Sequence, residues 1–290
     1  MTYSIVAVDP VTGARGVAVA SKALCVGAHV PWGRAGFGAL ATQAWHDLRY
    51  GWEGLALLEQ GLSAAAIIQK LTYGDDDAPH RQLGIVDRNN NVGSYTGSRC
   101  LPWAGGMCGV GYAVQGNLLS GAQTVEAMAA SYEASAGQPF VHRLVHALLA
   151  GDEAGGDRRG RQSAAVKVWR AEPAHLTDVD TVGDLRVDDA PMPVHELAKL
   201  VPRLWLDYGT SVPETALPLT GQTAERVATA LKTSPAEVEP VLVRCASELN
   251  LESRLLPGKI DLTVLEVLER GVPATLERAA KTTPQEGWPA

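Results

Sequence analysis

The N-terminal segment constrains the fold most strongly, because it contains two strand-like runs around one turn. Residues 4–8 and 16–20 are mostly small or β-branched, and the segment between them contains Asp9, Pro10 and Gly13. Such runs are typical of strands, and the residues between them are typical of turns. The sequence therefore predicts a β-hairpin that starts almost at the first residue.

Thr2 stands at the start of this hairpin, where removal of Met1 would leave it as the mature first residue. An α-amine has an ordinary pKa of about 7.7 to 8.0, so part of it is neutral at cellular pH and can accept the proton of the Thr2 hydroxyl. Lys22, at the end of the second run, is expected near that amine, where like-charge repulsion would lower the amine's pKa. An ordinary strand start and a solvated lysine are also compatible with this segment.

The charge balance disfavours two classes of partner. The 290 residues include 25 Lys and Arg against 32 Asp and Glu, a formal net charge of −7. No basic field is therefore available for nucleic acid or an anionic membrane. We also find no signal-peptide pattern and no apolar run of membrane-spanning length, so we expect a cytoplasmic protein that acts on a small molecule.

The cysteines and histidines do not form a metal-binding pattern. Cys25, Cys100, Cys108 and Cys245 include no Cys-x-x-Cys pair and no zinc-type histidine spacing. They are interpreted as buried thiols, and a disulfide between Cys100 and Cys108 is the less favoured alternative. His142 and His146 lie four apart on a predicted helix, but the glutamate of a zinc-protease motif is missing. We expect no metal and no organic cofactor.

The periodicity of apolar residues predicts an alternation of strands and helices up to residue 208. Predicted strands cover 36–43, 81–88, 91–96, 112–115, 163–170 and 184–188, with a turn at Asn89 and Asn90 and a loop at 97–111. Predicted helices cover 50–60, 63–71, 122–135, 139–150 and 194–208.

Polar residues near the predicted strand ends are candidate ligand contacts. Gln43 and His46 follow the third strand, although a single histidine is more often structural. Gly116 and Asn117 precede a predicted helix, where backbone N–H groups can face an anion or an oxyanion.

Residues 151–162 have the most unusual local composition. They place Asp157, Arg158, Arg161 and Gln162 at the entrance of the next predicted strand. Arginine binds carboxylates through two parallel hydrogen bonds, so the cluster predicts a site for an acidic group of a ligand. An internal ion pair between Asp157 and either arginine is an equally good interpretation.

The composition changes after residue 208. A proline-containing linker at 210–221 is followed by helical patterns at 223–231, 234–249 and 262–270. We therefore predict one domain over 1–209, a small all-α domain over 213–272 and a loose tail over 273–290. A helical domain of this size has a small core, so we expect it to pack on the first domain or on a second subunit of a homo-oligomer.

Ordered motifs over residues 1–208 resemble the bacterial domain-of-unknown-function family 1028. They are Met-Thr-Tyr-Ser-Ile-Val-Ala, Gly-Val-Ala-Val-Ala-Ser-Lys, Ala-Thr-Gln-Ala-Trp, Gln-Gly-Asn-Leu-Leu-Ser-Gly, Gly-Gly-Asp-Arg-Arg-Gly-Arg-Gln-Ser-Ala-Ala and Asp-Leu-Arg-Val-Asp-Asp. That family is regarded as similar to the N-terminal nucleophile (Ntn) hydrolases. The resemblance implies an α+β fold, a four-layer α-β-β-α sandwich of two antiparallel sheets. The helical segment is similar to a domain regarded as peptidoglycan-binding.

The resemblance also implies roles for individual residues. Thr2 matches the N-terminal nucleophile, and Lys22 matches a charged group near the end of the second strand. Gly116 and Asn117 resemble an oxyanion-binding turn. Asp157 and Ser163 resemble the acid and the hydroxyl group that support the free amine. The resemblance thus implies five catalytic residues: Thr2, Lys22, Asn117, Asp157 and Ser163.

Two functional hypotheses follow. The first is an amidohydrolase that cleaves a small amide or cyclic amide through Thr2, with expected substrate contacts at Gln43, His46, Gly116, Arg158, Arg161 and Gln162. The second is a non-catalytic binding protein with the same fold that recognises cell-wall fragments or another acidic small ligand.

Overall fold

The N-terminal hairpin forms as the sequence predicts. The structure is a computed structural model that describes residues 2–172, 180–208 and 215–271. In it, strand β1 spans Thr2–Val8, and the antiparallel strand β2 spans Arg15–Ser21. The Asp9 carboxylate accepts the backbone N–H groups of residues 11 and 12, and Gly13 adopts a positive φ of 73°. The turn thus uses the residue types that indicated it.

The chain divides into two compact units, and the division falls inside a helix. The first unit ends at Lys199 and the second begins at Leu200. The further strands of the first unit are β3 Pro31–Arg34, β4 Gly38–Ala44, β5 Arg81–Asp87, β6 Val92–Thr96, β7 Gly105–Gly109, β8 Tyr112–Asn117, β9 Ser163–Trp169 and β10 Thr181–Val187. The helices are α1 Leu48–Glu59, α2 Ala64–Thr72, α3 Gln123–Ala134, α4 Phe140–Glu153 and α5 Pro193–Tyr208, which contains the division.

Two antiparallel sheets form the centre of the first unit. The larger has the strand order β10-β9-β2-β1-β8-β7, and the smaller has the order β3-β4-β5-β6. Strand β1 is therefore central and is paired on both sides, with β2 and with β8. Strands β6 and β7 are terminal strands of their sheets.

Alternation along the central strands builds the core between the sheets. Val6, Val8, Val17 and Val19 on the larger sheet share one buried cluster with Val86 on the smaller sheet. Successive side chains of a strand point to opposite faces, so every second residue of β1 and β2 reaches this core. The burial of these side chains stabilises the contact between the two sheets.

Helices pack on both sheets. Helices α1 and α2 contribute Leu58 and Ile67 to a buried cluster with Leu40 and Ile85 of the smaller sheet. Helices α3 and α4 pack on each other and on strands β1, β2 and β8 of the larger sheet. As predicted, Ser63 caps α2, since its side chain accepts the N–H of residue 66.

Three expectations are corrected by the structure. Strand β7 lies inside the predicted loop 97–111, because its glycine-rich segment is held by pairing with β8 rather than by its own strand propensity. Gly116 and Asn117 belong to strand β8 instead of a turn. Cys108 is exposed and the other three cysteines are partly exposed, all four as free thiols, so the expectation of buried thiols is wrong.

The second unit combines helices with a very small sheet. Its further elements are β11 Leu217–Pro218, α6 Gly221–Leu231, α7 Val238–Glu248, β12 Leu255–Leu256, β13 Lys259–Ile260 and α8 Leu262–Arg270. The strands pair in the order β11-β13-β12, which the sequence analysis missed because each has two residues. Residues 209–214 of the linker region and the predicted tail 273–290 lie outside the described residues.

The core of the second unit contains one buried arginine. Arg254 is 2% exposed and donates to the backbone carbonyl groups of Trp205 and Leu206. Its guanidinium group also lies over the Trp205 ring and 3.6 Å from the Asp261 carboxylate.

Among the described helices of the chain, none combines the length and the apolar character needed to cross a lipid bilayer.

Candidate functional site

The ends of several strands meet at one end of the first unit. Strand β1 begins there with Thr2, which pairs with Asn117 at the end of β8. Ser21 ends β2 and pairs with Ser163, the first residue of β9. In the smaller sheet, β4 ends and β5 begins at this place, and the side chain of Gln43 from β4 reaches the Thr2 carbonyl oxygen at 3.4 Å. We call this region the Thr2 end.

Thr2 is buried at the start of the central strand. Its exposed fraction is 6%, and its Oγ1 lies 3.2 Å from Oγ of Ser21. The register explains this contact, because Tyr3 pairs with Ala20 and the next pair therefore sets Thr2 opposite Ser21. The Thr2 hydroxyl is thus held by the sheet itself and has a second hydroxyl group within hydrogen-bond distance.

Lys22 directly follows the strand that pairs with Thr2. It lies one residue beyond β2, it is exposed, and its backbone N–H donates to Asp157 at 2.7 Å. Within the described residues, its ammonium group makes no hydrogen bond with Thr2. A shift of one residue along a strand changes the face on which a side chain stands, so Ser21 rather than Lys22 is the side chain next to Thr2.

A buried amide network joins the two sheets at the Thr2 end. Gln82, with no exposed surface, accepts from Asn117 Nδ2 at 2.8 Å and from Gln43 Nε2 at 2.9 Å. Its own amide group lies 2.8 Å from the Gly116 carbonyl oxygen and 2.9 Å from Thr96 Oγ1. Asn117 therefore has a fixed amide orientation, with one N–H committed to Gln82.

Ser4 and Gln115 extend the network along the sheets. The Ser4 hydroxyl donates to Gln43 Oε1 at 2.7 Å and accepts from Gln115 Nε2 at 2.6 Å. Gln43 is 1% exposed, and its hydrogen bonds are to groups of the protein. The structure thus places this expected substrate contact in the packing between the sheets.

The backbone after β8 is tied down as well. The N–H groups of Leu118, Leu119 and Ser120 donate to the carbonyl oxygens of Leu101, Trp103 and Gly156 respectively. The expected turn with free N–H groups before the helix is therefore wrong over these three residues, because internal carbonyl groups satisfy them. Gly116 and Asn117 nevertheless lie next to Thr2, through the pairing of β8 with β1.

Asp157 and Ser163 both anchor the segment that follows β2. Asp157 accepts the N–H of Lys22 and also pairs with Arg159, whose Nη2 is 3.2 Å away. Ser163 has no exposed surface; its hydroxyl donates to the Ala23 carbonyl at 2.5 Å and accepts the N–H of residue 26 at 3.1 Å. Both expected catalytic residues thus hold the loop at the Thr2 end.

The arginines of residues 151–162 differ in their partners. Arg161 Nε lies 2.8 Å from both oxygens of Asp152, a residue 3% exposed that also accepts from the Tyr3 hydroxyl. The hydrogen bond to Asp152 raises the pKa of Arg161. Burial raises the pKa of Tyr3, and the negative charge of Asp152 raises it further.

Arg158 is exposed, and its side chain forms no ion pair within the described residues. Gln162 is half-buried, and its backbone N–H donates to Ser21.

His46 is part of an aromatic surface after β4. It is exposed, and its ring centroid lies 5.7 Å from that of His29. Partial removal from water lowers the pKa of His46, and the neighbouring His29 lowers it further. The adjacent Trp45 is also exposed and packs edge-on against His80.

Within residues 2–172, 180–208 and 215–271, no group of three His, Cys, Asp or Glu side chains is arranged to hold a metal ion.

The sequence analysis missed several residues at the Thr2 end. The position of Ser21 could have been predicted from the register of the hairpin. If Val8 pairs with Arg15, as it does in the structure, Thr2 lies opposite Ser21. Gln82 carried no local signal, since its role depends on the contact between two sheets that are formed by distant segments. The same holds for Arg159, which takes the place of Arg158 or Arg161 as the partner of Asp157, and for Asp152, which is the partner of Arg161.

Comparison with known proteins identifies a family. The sequence profile of DUF1028, described as a family of unknown function, matches residues 2–197. A crystal structure of a protein from Silicibacter pomeroyi, described by the same family, is similar to this chain with 30% sequence identity and a TM-score of 0.63. That match covers 77% of this chain and 92% of the other one. No curated protein matches the sequence significantly.

Proposed function

The chain belongs to the family of unknown function DUF1028, and we propose that it is an amide hydrolase in which Thr2 is the nucleophile. The observation that carries the proposal is the position of Thr2, which heads a central strand with its hydroxyl 3.2 Å from that of Ser21. The proposal includes the fold: two stacked antiparallel sheets with helix pairs outside, as in the four-layer Ntn-hydrolase sandwich. It requires that Met1 be removed, so that Thr2 carries a free α-amine.

The proposed reaction uses the two functional groups of Thr2. The α-amine takes the hydroxyl proton while Oγ1 attacks the amide carbonyl carbon, and the resulting ammonium group then protonates the leaving amine. This leaves an ester between the acyl group and Thr2, which water hydrolyses with the amine again acting as base. Asn117, which pairs with Thr2 across β1 and β8, supplies the amide group that stabilises the oxyanion. No metal ion takes part in these steps.

The internal ion pairs favour a neutral substrate over an acidic one. Arg161 and Arg159 are each paired with a buried carboxylate, Asp152 and Asp157 respectively. Their charges are thus compensated, and Arg158 is the arginine of this segment that remains for a ligand. A small neutral amide needs no further cation.

Variants of Thr2 test the proposal. We expect Thr2→Ser to retain amide turnover and Thr2→Ala to lose at least ~10³-fold, because only the first keeps a nucleophile. Both residues are small, so Met1 removal is the same in the two proteins. The assay measures amine release from a panel of uncharged N-acyl amides. Equal turnover in Thr2→Ala would exclude Thr2 as the nucleophile.

A non-catalytic binding protein is the second candidate, and one observation favours it. One N–H of Asn117 is committed to Gln82 and the Ser163 hydroxyl is committed to the backbone of the loop after β2. A site whose polar groups are satisfied internally is suited to holding its shape. The two candidates differ in a simple property: intact-mass measurement of the purified protein finds Met1 absent if Thr2 is catalytic, whereas binding alone has no such requirement.

A further inference from the structure

A polar groove opens between β6 and β7, the terminal strands of the two sheets of the first unit. Its walls come from β6, from β7 and from part of the segment between them, and the residues that line it are Ser94, Thr96, Gly97, Ser98, Cys100, Pro102, Ala104, Gly105, Gly106 and Cys108. Its volume is about 550 Å³, within the range of sites that bind small molecules. Since β6 and β7 are terminal strands, their outer backbone groups have no strand partner within the described residues.

The lining of the groove is polar but uncharged. Hydroxyl groups come from Ser94, Thr96 and Ser98, thiols from Cys100 and Cys108, and the remaining lining residues are glycine, alanine and proline. Among the described residues, no Asp, Glu, Lys or Arg lines it. A charged group placed here would lose water without gaining an opposite charge, whereas hydroxyl and backbone groups can satisfy a neutral ligand.

One side chain connects this groove with Thr2. The Gln82 amide donates to Thr96 Oγ1 at 2.9 Å and to the Gly105 carbonyl at 3.2 Å, so it connects the two walls of the groove. The Gln82 carbonyl accepts from Asn117, which pairs with Thr2. The groove wall at Thr96 is therefore separated from Asn117 by the single side chain of Gln82.

We propose that this groove binds the part of the substrate beyond the reacting amide, and that this part is an uncharged, extended peptide segment. The inference rests on the proposed function, because it assigns a substrate class to the Thr2 site. A peptide backbone offers one donor and one acceptor per residue, which matches a lining of hydroxyl groups and strand edges. The hydrogen bonds from Thr96 to Gln82 and from Asn117 to Gln82 link the groove wall to the strand pair that holds Thr2, so the groove lies close enough to the Thr2 end for one extended substrate to occupy both.

Binding to the full-length Thr2→Ala protein tests the inference without turnover. The probe is N-acetyl-trialanine amide, and binding is measured by calorimetry at low and high salt. We expect binding that does not change with salt, because the probe and the groove are uncharged. Ser98→Trp should weaken binding at least tenfold by filling the groove from an exposed position, and the matched variant Gln138→Trp, also exposed, should have no effect.

Alkylation of Cys108 localises the probe. Cys108 is exposed and lines the groove, so the bound tripeptide should slow its reaction with iodoacetamide, as measured by peptide mass spectrometry. Failure of the tripeptide to bind, or equal binding by Ser98→Trp, would overturn the inference. Binding of diacetylchitobiose in its place would overturn the peptide class, and binding of a triglutamate analogue in its place would overturn the requirement that the peptide be uncharged. Because Thr2 is absent in this protein, a failure of Thr2 catalysis leaves these results unchanged.

Discussion

Oγ1 of Thr2 lies 3.2 Å from Oγ of Ser21, on the neighbouring strand of the same hairpin. Thr2 is 6% exposed and Ser21 is 2% exposed, so the contact between their hydroxyl groups is shielded from water. A hydrogen bond between them restricts the rotamer of Thr2 and therefore the direction from which its oxygen attacks. Ser21 is in this account a positioning residue for Thr2.

Ser21→Ala tests that role. We expect kcat to fall about fivefold with little change in KM, since loss of one buried hydrogen bond corresponds to about 1 kcal/mol. Ser21→Thr, which retains the hydroxyl, should recover most of the rate. Steady-state kinetics on the best amide of the panel provides the measurement, and an unchanged kcat in Ser21→Ala would remove Ser21 from the mechanism.

Arg161→Ala should destabilise the fold. Its removal deprives the buried carboxylate of Asp152 of its arginine partner and leaves it with the Tyr3 hydroxyl and with His195, whose Nδ1 is 3.9 Å away. A hydrogen bond to a charged group is worth about 1.5 to 3 kcal/mol. Arg158→Ala, at an exposed arginine of the same loop, should change the free energy of unfolding by less than about 0.5 kcal/mol. Urea unfolding compares the two proteins. Equal stability of both variants would show that the pair with Asp152 contributes little.

Gln82→Leu should cost at least about 3 kcal/mol of stability. The substitution removes an acceptor for Asn117 and Gln43 and a donor to the Gly116 carbonyl, all of them buried. Gln69→Leu, at an exposed position of α2, is the matched control and should be close to neutral. Thermal and urea unfolding give the measurement. A near-neutral Gln82→Leu would mean that the sheets repack without the network.

Stability should decrease between about pH 6.5 and pH 4 because of His142. Burial, with a smaller effect of His146, lowers the pKa of His142 to about 4 in the folded protein. The unfolded chain therefore binds a proton over this range that the folded chain does not, and the loss amounts to at most about 3 kcal/mol. His142→Gln should flatten the pH profile of unfolding. An unaltered profile in His142→Gln would contradict the assignment.

Local patterns predicted the hairpins and most helices, because their signals lie within a few residues. The N-terminal hairpin, the cap at Ser63 and the turn at Asn89 and Asn90 all follow from residue type and spacing. Strand β7 was missed for the opposite reason: three of its five residues are glycine, and only its pairing with β8 makes it a strand. Tertiary contact decided that element.

The sequence indicates where the candidate residues stand along the strands, but not which side chains they contact. Thr2, Asn117, Asp157 and Ser163 all come to the same end of the sheets, since strand order alone determines which ends are neighbours. Their partners depend on side-chain reach across sheets and loops, which no local pattern encodes. For this reason Asp157 pairs with Arg159, and the amide of Asn117 is held by Gln82.

Mass spectrometry of the purified protein after treatment with a β-lactone tests the central claim most directly. Attack by a nucleophilic oxygen opens the lactone and leaves an ester, so the protein gains the whole mass of the reagent. We predict that Met1 is absent and that peptide mapping finds one adduct, on the hydroxyl oxygen of Thr2, which Thr2→Ala does not form. Retention of Met1, or an adduct that persists in Thr2→Ala, would contradict the assignment of Thr2 as the N-terminal nucleophile.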